Sequence, residues 1–312
     1  MKRFASALLL LAASCTAAPV SNMEAVSPRP AGVAQDGKLR IIAFGAHQDD
    51  CELREAGVAA KWAAQGHHVK FVSCTNGDIG NWGMAGGPLA VRRAAENKKC
   101  SKILGIENQV LDIHDGELMV TMDNRRAICR LIREWGADIV ISHRPNDYHP
   151  DHRYVGVLVM DAAYMVTVPF FCPDTPYLTK NPVFLFSEDG FQRPNVFTAD
   201  IAVSIDDVLE KKLACVEALE SQFYEGGCNG GPQLVPDPKD AEKVAQRKKT
   251  VSDNFTKRFS STANRFRAKL ADFYGKEAGD QVRTAEAFEI CEYGRRPNAE
   301  EIRKLFPFFP SK

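Results

Sequence analysis

Two short stretches of the chain hold residue types that bind metal ions and move protons. The first is Ala46-His47-Gln48-Asp49-Asp50-Cys51-Glu52. The second runs His143-Arg144-Pro145-Asn146-Asp147-Tyr148-His149-Pro150-Asp151-His152-Arg153 and contains three of the chain's seven histidines. Zinc accepts imidazole nitrogen and carboxylate oxygen, and a catalytic zinc keeps three protein ligands with a fourth position open for water. His47 and Asp50 could supply two of those ligands, and His152 is the natural third. Neighbouring side chains on a tight turn point in different directions, which would leave Asp49 off the ion and free to act as a base. The competing reading of Asp49 and Asp50 is helix capping, with a favourable helix-dipole interaction. His149, in the turn before His152, is placed to donate a proton. Asp151 could orient His149 or another imidazole by accepting its second N–H. His143 reads as a strand-end histidine bonded to backbone.

Such residues act together only if the fold brings the two stretches to one place. From residue 39, short β-branched or apolar runs alternate with longer helical ones, the pattern of βαβ units and a mainly parallel sheet. Residues 39–45, 68–74, 110–113, 139–142, 183–186 and 200–203 read as strands, and 52–65, 88–104, 122–135, 153–166, 206–223 and 241–274 as helices. Gly66, Gly105 and Gly136 stand at helix ends and Pro88 at a helix start. Residues 75–88 hold five glycines and form a loop. Both His/Asp stretches follow directly on predicted strands, 39–45 and 139–142, and open α/β sheets place their sites at the carboxyl ends of parallel strands. The apolar stripe Val251, Phe255, Phe259, Phe266, Leu270 and Phe273 reads as a helix face packed on the domain.

Composition narrows the class. Across 312 residues, 45% are hydrophobic and 26% charged, enough for a large core, and Lys+Arg equals Asp+Glu at 40 each. No net field attracts nucleic acid, so a nucleic-acid partner is not expected. Lys2 and Arg3, the apolar run 4–13 and the small residues 14–18 read as a signal peptide over 1–18, too short to span a bilayer. Cys15 follows Leu11-Ala12-Ala13-Ser14, which resembles a bacterial lipoprotein cleavage box with Ala12 where Leu is more usual. Membrane attachment is accordingly expected only through a lipidated Cys15, with the protein exported to the periplasm or anchored at the envelope. Residues 19–38 read as a flexible linker. The other eight cysteines are scattered without the close pairs of a zinc knuckle. Disulfides and small buried apolar residues both stand as readings, the second at least as good for Cys74 and Cys129.

With these residues assembled, the chain resembles the LmbE-like (PIG-L) family of zinc de-N-acetylases, which includes the bacterial deacetylases of mycothiol and bacillithiol synthesis. Ala46 to Glu52 matches the family's Ala-His-Pro-Asp-Asp and following Glu, with Gln48 in place of proline. Asn146 to His152 matches the Asn/Asp loop running into His-Pro-Asp-His. Supporting matches are Thr75-Asn76-Gly77-Asp78 and Arg93-Ala94-Ala95-Glu96 with Leu104-Gly105 downstream. Leu219-Glu220-Ser221-Gln222 resembles a stretch that usually reads His-x-Ser-Gln, with the agreement broken at Glu220 or a shifted position, and Glu286 to Phe288 is a weaker echo. The resemblance implies an α/β, Rossmann-like, mainly parallel sheet flanked by helices, with the deacetylase core over 39–223 and a helical C-terminal extension, 224–312, packed on it. It also implies Zn2+ held by His47, Asp50 and His152, with Asp49 as general base and His149 as acid or oxyanion donor. Arg93 is implied as a substrate contact, and Asn146 and Asp147 lie in the matched loop expected to line the substrate.

The reaction so implied is hydrolysis of an N-acetylated amino sugar to acetate and a free amine. A zinc amidase acting on a larger acyl amide shares every catalytic residue. A non-catalytic carbohydrate-binding lipoprotein would have no use for a free carboxylate beside the metal. Neither the particular glycan nor the oligomeric state is legible.

Overall fold

The computed structural model describes residues 29–30 and 33–310. The expected signal peptide and Cys15 lie outside the described residues. In chain order the elements are β1 (Arg40–Gly45), α1 (Asp50–Ala64), β2 (His68–Ser73), α2 (Gly87–Leu104), β3 (Glu107–Val110), α3 (Met122–Trp135), β4 (Ile139–Ser142) and α4 (Pro150–Met165). They continue with β5 (Val183–Ser187), β6 (Ile201–Ser204), α5 (Leu209–Ala218), α6 (Ala241–Arg265), α7 (Arg267–Tyr274), α8 (Lys276–Gln281), β7 (Ala285–Ile290) and α9 (Ala299–Leu305).

One seven-stranded sheet runs β3-β2-β1-β4-β5-β7-β6. Strands β3, β2, β1, β4 and β5 are mutually parallel, while β7 is antiparallel to both β5 and β6. This is the expected α/β class. Alternation along β1 divides the core: Ile41 and Ala43 join the layer of α1, α2, α5 and α9, while Ile42 and Phe44 join the layer of α3 and α4. Burial of each of Ile41, Ile42 and Phe44 contributes about 1.5–3 kcal/mol relative to exposure. Helix ends follow local chemistry: Thr121 caps α3 by accepting from the Asn124 N–H, and Gly136 closes it in the left-handed conformation.

Three expectations change and one is extended. The strand expected at 110–113 is β3 at Glu107–Val110, because the less apolar Glu107-Asn108-Gln109 pairs with β2 at the sheet edge, where one face is only half-buried. The helix expected over 206–223 becomes α5 and then a π-turn over Glu220–Tyr224. The helical C-terminal region, 224–312, also supplies one strand, β7, which joins the sheet between β5 and β6. Within β7, Glu286 accepts the backbone N–H of Gly57 and of Val58, both at 2.8 Å, and pairs with buried Lys212. Finally, the described part of the expected linker is docked: Arg29 donates to Asp138 at 2.8 Å and to the carbonyl oxygens of Gly136 and Lys38 at 2.8 and 2.6 Å. Removing one partner of a buried ion pair of this kind costs about 3–5 kcal/mol.

The apolar stripe behaves as expected, with Val251, Phe259 and Leu270 buried and Phe255 packed against Phe223. All eight cysteines among the described residues are free, and Cys74 and Cys129 lie in the core.

Candidate metal centre and active site

Strands β1 and β4 are neighbours with Phe44 opposite Ser142, so the loops leaving them emerge side by side at the point where strand order reverses. A Cβ on Gly45 would fall 2.7 Å from Asp50 Cβ, so glycine permits the tight turn from β1 into α1. Asp50 Oδ2 fastens that turn, accepting the N–H of Ala46 at 2.9 Å and of His47 at 2.8 Å. On the facing side, a Cβ on Gly156 would meet the His143 carbonyl oxygen at 2.8 Å, so α4 approaches the end of β4 closely.

The two stretches meet. His47 Nδ1 lies 3.2 Å from His152 Nε2 and 3.5 Å from Asp50 Oδ2, and His152 Nε2 lies 3.4 Å from Asp50 Oδ1. The outer nitrogens have carboxylate partners: His152 Nδ1 is 3.1 Å from Asp147 Oδ1, while His47 Nε2 is 3.0 Å from Asp115 Oδ1 and 3.4 Å from Asp151 Oδ2. The inner ring nitrogens of His47 and His152 thus lie together with the Asp50 carboxylate, whose Oδ2 faces His47 and whose Oδ1 faces His152, while the carboxylates on the outer nitrogens could hold both rings as ligands. Tetrahedral zinc with bonds of roughly 2.0–2.2 Å separates its ligand atoms by about 3.3 Å, so this donor set fits a zinc ion in chemistry and in spacing.

Burial opposes a charge on His47, yet Asp115, Asp151 and Asp50 outweigh it and hold its pKa well above the usual 6.5. Burial also tends to raise Asp50, but His152 and His143 hold its carboxyl well below the ordinary range. Asp49 behaves oppositely: burial and the adjacent Asp50 charge raise it, with Arg93 partly offsetting. Although Asp49 stands at the N-cap of α1, its side chain makes no cap hydrogen bond, so the capping reading fails for it. Arg93 Nη2 lies 4.0 Å from its Oδ1. Ligand atoms of His47, Asp49 and Asp50 lie within 4.8 Å of one another.

His149 caps α4, its Nδ1 accepting the Asp151 N–H at 3.3 Å, and its ring stands edge-on to His47 at 4.7 Å between centroids. Nε2 is left as the N–H donor of the neutral ring. Burial and the charges of His47 and His152 lower its pKa. His143 contacts the Ala46 N–H at 3.4 Å, as expected of a backbone-bonded residue, but also Asp50 Oδ2 at 3.3 Å. Burial, opposed by Asp50, takes it down to about 4, so it is neutral at pH 7.

The structure moves some expected partners. Asp151 accepts from the N–H groups of Gly116 and Leu118 at 2.7 and 3.2 Å and faces His47, so the imidazole it orients is His47 rather than His149. Asp147 is turned to His152. Asn146 donates to the Arg193 carbonyl oxygen at 3.3 Å. Arg93 is buried, with Nη2 donating to Gln222 at 2.7 Å and Nη1 to the Gly77 carbonyl oxygen at 3.2 Å, while Ser221 Oγ donates to Glu96 at 2.6 Å. The Glu220-Ser221-Gln222 stretch is therefore the clamp of the Arg93–Glu96 helical turn. Gln48 is fully buried, and neither amide atom has a partner among the described residues, at a cost of about 1–3 kcal/mol for each unpaired group.

Sequence reasoning missed Asp115, the nearest carboxylate to His47 Nε2; Asp78, quoted there only as part of a supporting match, accepts the Asp115 N–H at 3.1 Å and pairs with His114 at 2.7 Å. The available signal was the acidic residue after Gly77 and the His114-Asp115-Gly116 turn beyond β3.

Comparison with known proteins places the chain among relatives of one family and fold. A family model described as PIG-L, GlcNAc-PI de-N-acetylase, matches residues 42–163. The diacetylchitobiose deacetylase of Thermococcus kodakarensis is 31% identical over 194 residues, spanning 60% of this chain and 71% of that protein. The solved N,N'-diacetylchitobiose deacetylase of Pyrococcus horikoshii superposes with a TM-score of 0.59 at 21% identity, covering 81% of this chain and 84% of that one. The 4-carboxy-2-hydroxymuconate hydratase GalB of Pseudomonas putida KT2440 superposes with a TM-score of 0.65 at 17% identity, covering 83% and 99%. A hydratase and a deacetylase share this fold, so fold alone does not select the reaction.

Proposed function

The chain belongs to the PIG-L family of de-N-acetylases and is an N-deacetylase, and from that premise we propose that it is a zinc-dependent hydrolase removing the acetyl group from an N-acetylglucosamine-containing glycan or glycoconjugate. The observation that carries the proposal is the set of inward-facing donors of His47, Asp50 and His152 at 3.2–3.5 Å, beside an Asp49 carboxylate with no capping bond. The likeness to a diacetylchitobiose deacetylase supports the sugar class.

In this reading His47, Asp50 and His152 hold the ion. Bound zinc supplies Lewis acidity and lets a water release its proton near pH 7. Asp49, raised by burial and by Asp50, takes the proton from the water as it attacks the acetamide carbon. His149 directs its Nε2–H to the carbonyl oxygen as negative charge develops there. Asp49 or His149 then returns a proton to the nitrogen as the C–N bond breaks, giving acetate and the free amine. Asp115 and Asp151 hold His47, Asp147 holds His152, and Arg93 stands next to Asp49 to steer substrate. We further infer export from the sequence of residues 1–18 alone, which would favour an envelope glycan or an imported glycoconjugate as substrate.

The test is acetate release from N-acetylglucosamine and N,N'-diacetylchitobiose by the zinc-loaded protein. Asp49→Asn should keep its zinc and lose about 10²–10⁴-fold in turnover. A normal rate in that variant would remove Asp49 from the mechanism.

A further inference from the structure

Tyr148 has no part in the chemistry above. Within residues 143–153 it alone is exposed, at 73%, in a stretch otherwise buried or half-buried. Its ring packs against two histidines of the site, with centroids 5.6 Å from His152 and 5.8 Å from His149 and ring planes crossed at 77° and 82°. No other tyrosine, and no phenylalanine or tryptophan, makes a ring contact with a site histidine among the described residues.

The backbone that carries this ring is fixed on both sides. Arg153 Nη1 donates to the carbonyl oxygens of Asp147 at 2.9 Å and Tyr148 at 3.0 Å, and Asp147 Oδ1 accepts the His149 N–H at 3.1 Å. Phe191 stands across from the ring at 6.2 Å between centroids, tilted by 41°. The Tyr148 phenol makes no hydrogen bond among the described residues, so no polar contact accounts for where the ring lies. A single exposed aromatic residue is ordinary on a protein surface. One fixed against the histidines of a candidate metal centre is placed to meet whatever docks there. Asp49, Arg93, Asp115 and His149 are polar groups, suited to an acetamide or to hydroxyls but not to an apolar surface. A pyranose presents both kinds of surface, hydroxyls around its rim and C–H groups on its face, and the electron-rich face of an aromatic ring is complementary to the second.

We propose that Tyr148 is a specificity-determining residue whose ring takes the C–H face of the substrate's pyranose, so that the site selects a cyclic amino sugar over an acyclic acetamide. This rests on the deacetylase reading of the neighbouring metal centre and narrows its substrate to amides whose nitrogen is carried directly on a sugar ring.

Two probes test it on the zinc-loaded full chain: N-acetylglucosamine, and N-acetylethanolamine, which carries the same acetamide on an open chain. Acetate release gives the sugar-to-acyclic ratio of kcat/KM, and calorimetric titration with N-acetylglucosamine gives Kd independently of turnover. Tyr148→Ala should weaken the sugar's Kd and lower that ratio by about tenfold each, with KM rising and bound zinc retained. Tyr148→Phe keeps the ring and drops the hydroxyl, and should stay within about twofold of the wild type in both. Tyr148→Ser repeats the alanine measurement should that variant lose its zinc or its fold. Sugar binding too weak to saturate in the wild type, a Kd untouched by loss of the ring, or an equal loss in Tyr148→Phe overturns the platform and leaves the deacetylase reading standing. A Kd that follows the ring, without acetate from either probe, keeps the platform and sinks the deacetylase reading instead.

Discussion

The partner that matters most to His47 is Asp115, 3.0 Å from Nε2. A carboxylate on the outer nitrogen fixes the tautomer, aims the inner lone pair and raises its basicity. Asp115→Asn should therefore weaken zinc binding about 10–100-fold in a competitive chelator titration while the protein stays folded; unchanged affinity would show that Asp151 alone orients the ring. The same carboxylates give a sign for pH. Without metal they hold a proton on His47 above the usual 6.5, and zinc must displace it. Affinity should accordingly rise with pH, by about tenfold per unit for each proton displaced between about pH 6 and 8; a flat profile would mean that His47 gives up no proton on binding. That His47, Asp50 and His152 meet was legible because each sits in a short contiguous pattern of ligand types directly after a buried strand. Asp115 was not, because its role arises only when the turn after β3 folds back over α4, a contact made through Asp151 and invisible to spacing.

At the scale of elements, the parallel strands and their helices could be read from alternation and from glycine stops, with Met122–Trp135 and Ile139–Ser142 found to the residue. Strand β7 escaped because it follows a long helical region, and its charged Glu286 and Glu289 break the apolar run that marks a buried strand. In place, Glu286 is bonded to α1 and Lys212, which removes the penalty that the sequence alone suggests. It follows that 39–223 is not an independent unit. A chain ended at residue 223 would leave β5 with an open edge and β6 without its partner, and net stabilities of about 5–15 kcal/mol do not survive that loss. Its thermal melt by circular dichroism should show no cooperative transition; a sharp melt near that of the full chain would refute the dependence.

For the whole molecule, the α/β class and the meeting of two distant loops follow from one rule, that sites gather at the carboxyl ends of parallel strands where strand order reverses. The docking of Arg29 on Asp138 was hidden because Ser, Pro, Ala and Gly around it give the composition of a tether, and one buried ion pair leaves no periodic trace. Fold does not choose the reaction, since a hydratase shares it. The proposed choice rests on whether His47, Asp50 and His152 hold a cation. The most direct test is the metal content of the purified protein after zinc loading and gel filtration, read by mass spectrometry. The wild type should retain about one zinc ion per chain, and His47→Ala and His152→Ala should retain almost none while still folded. A folded wild type that holds no zinc, or variants that hold it as well as the wild type, would contradict the account.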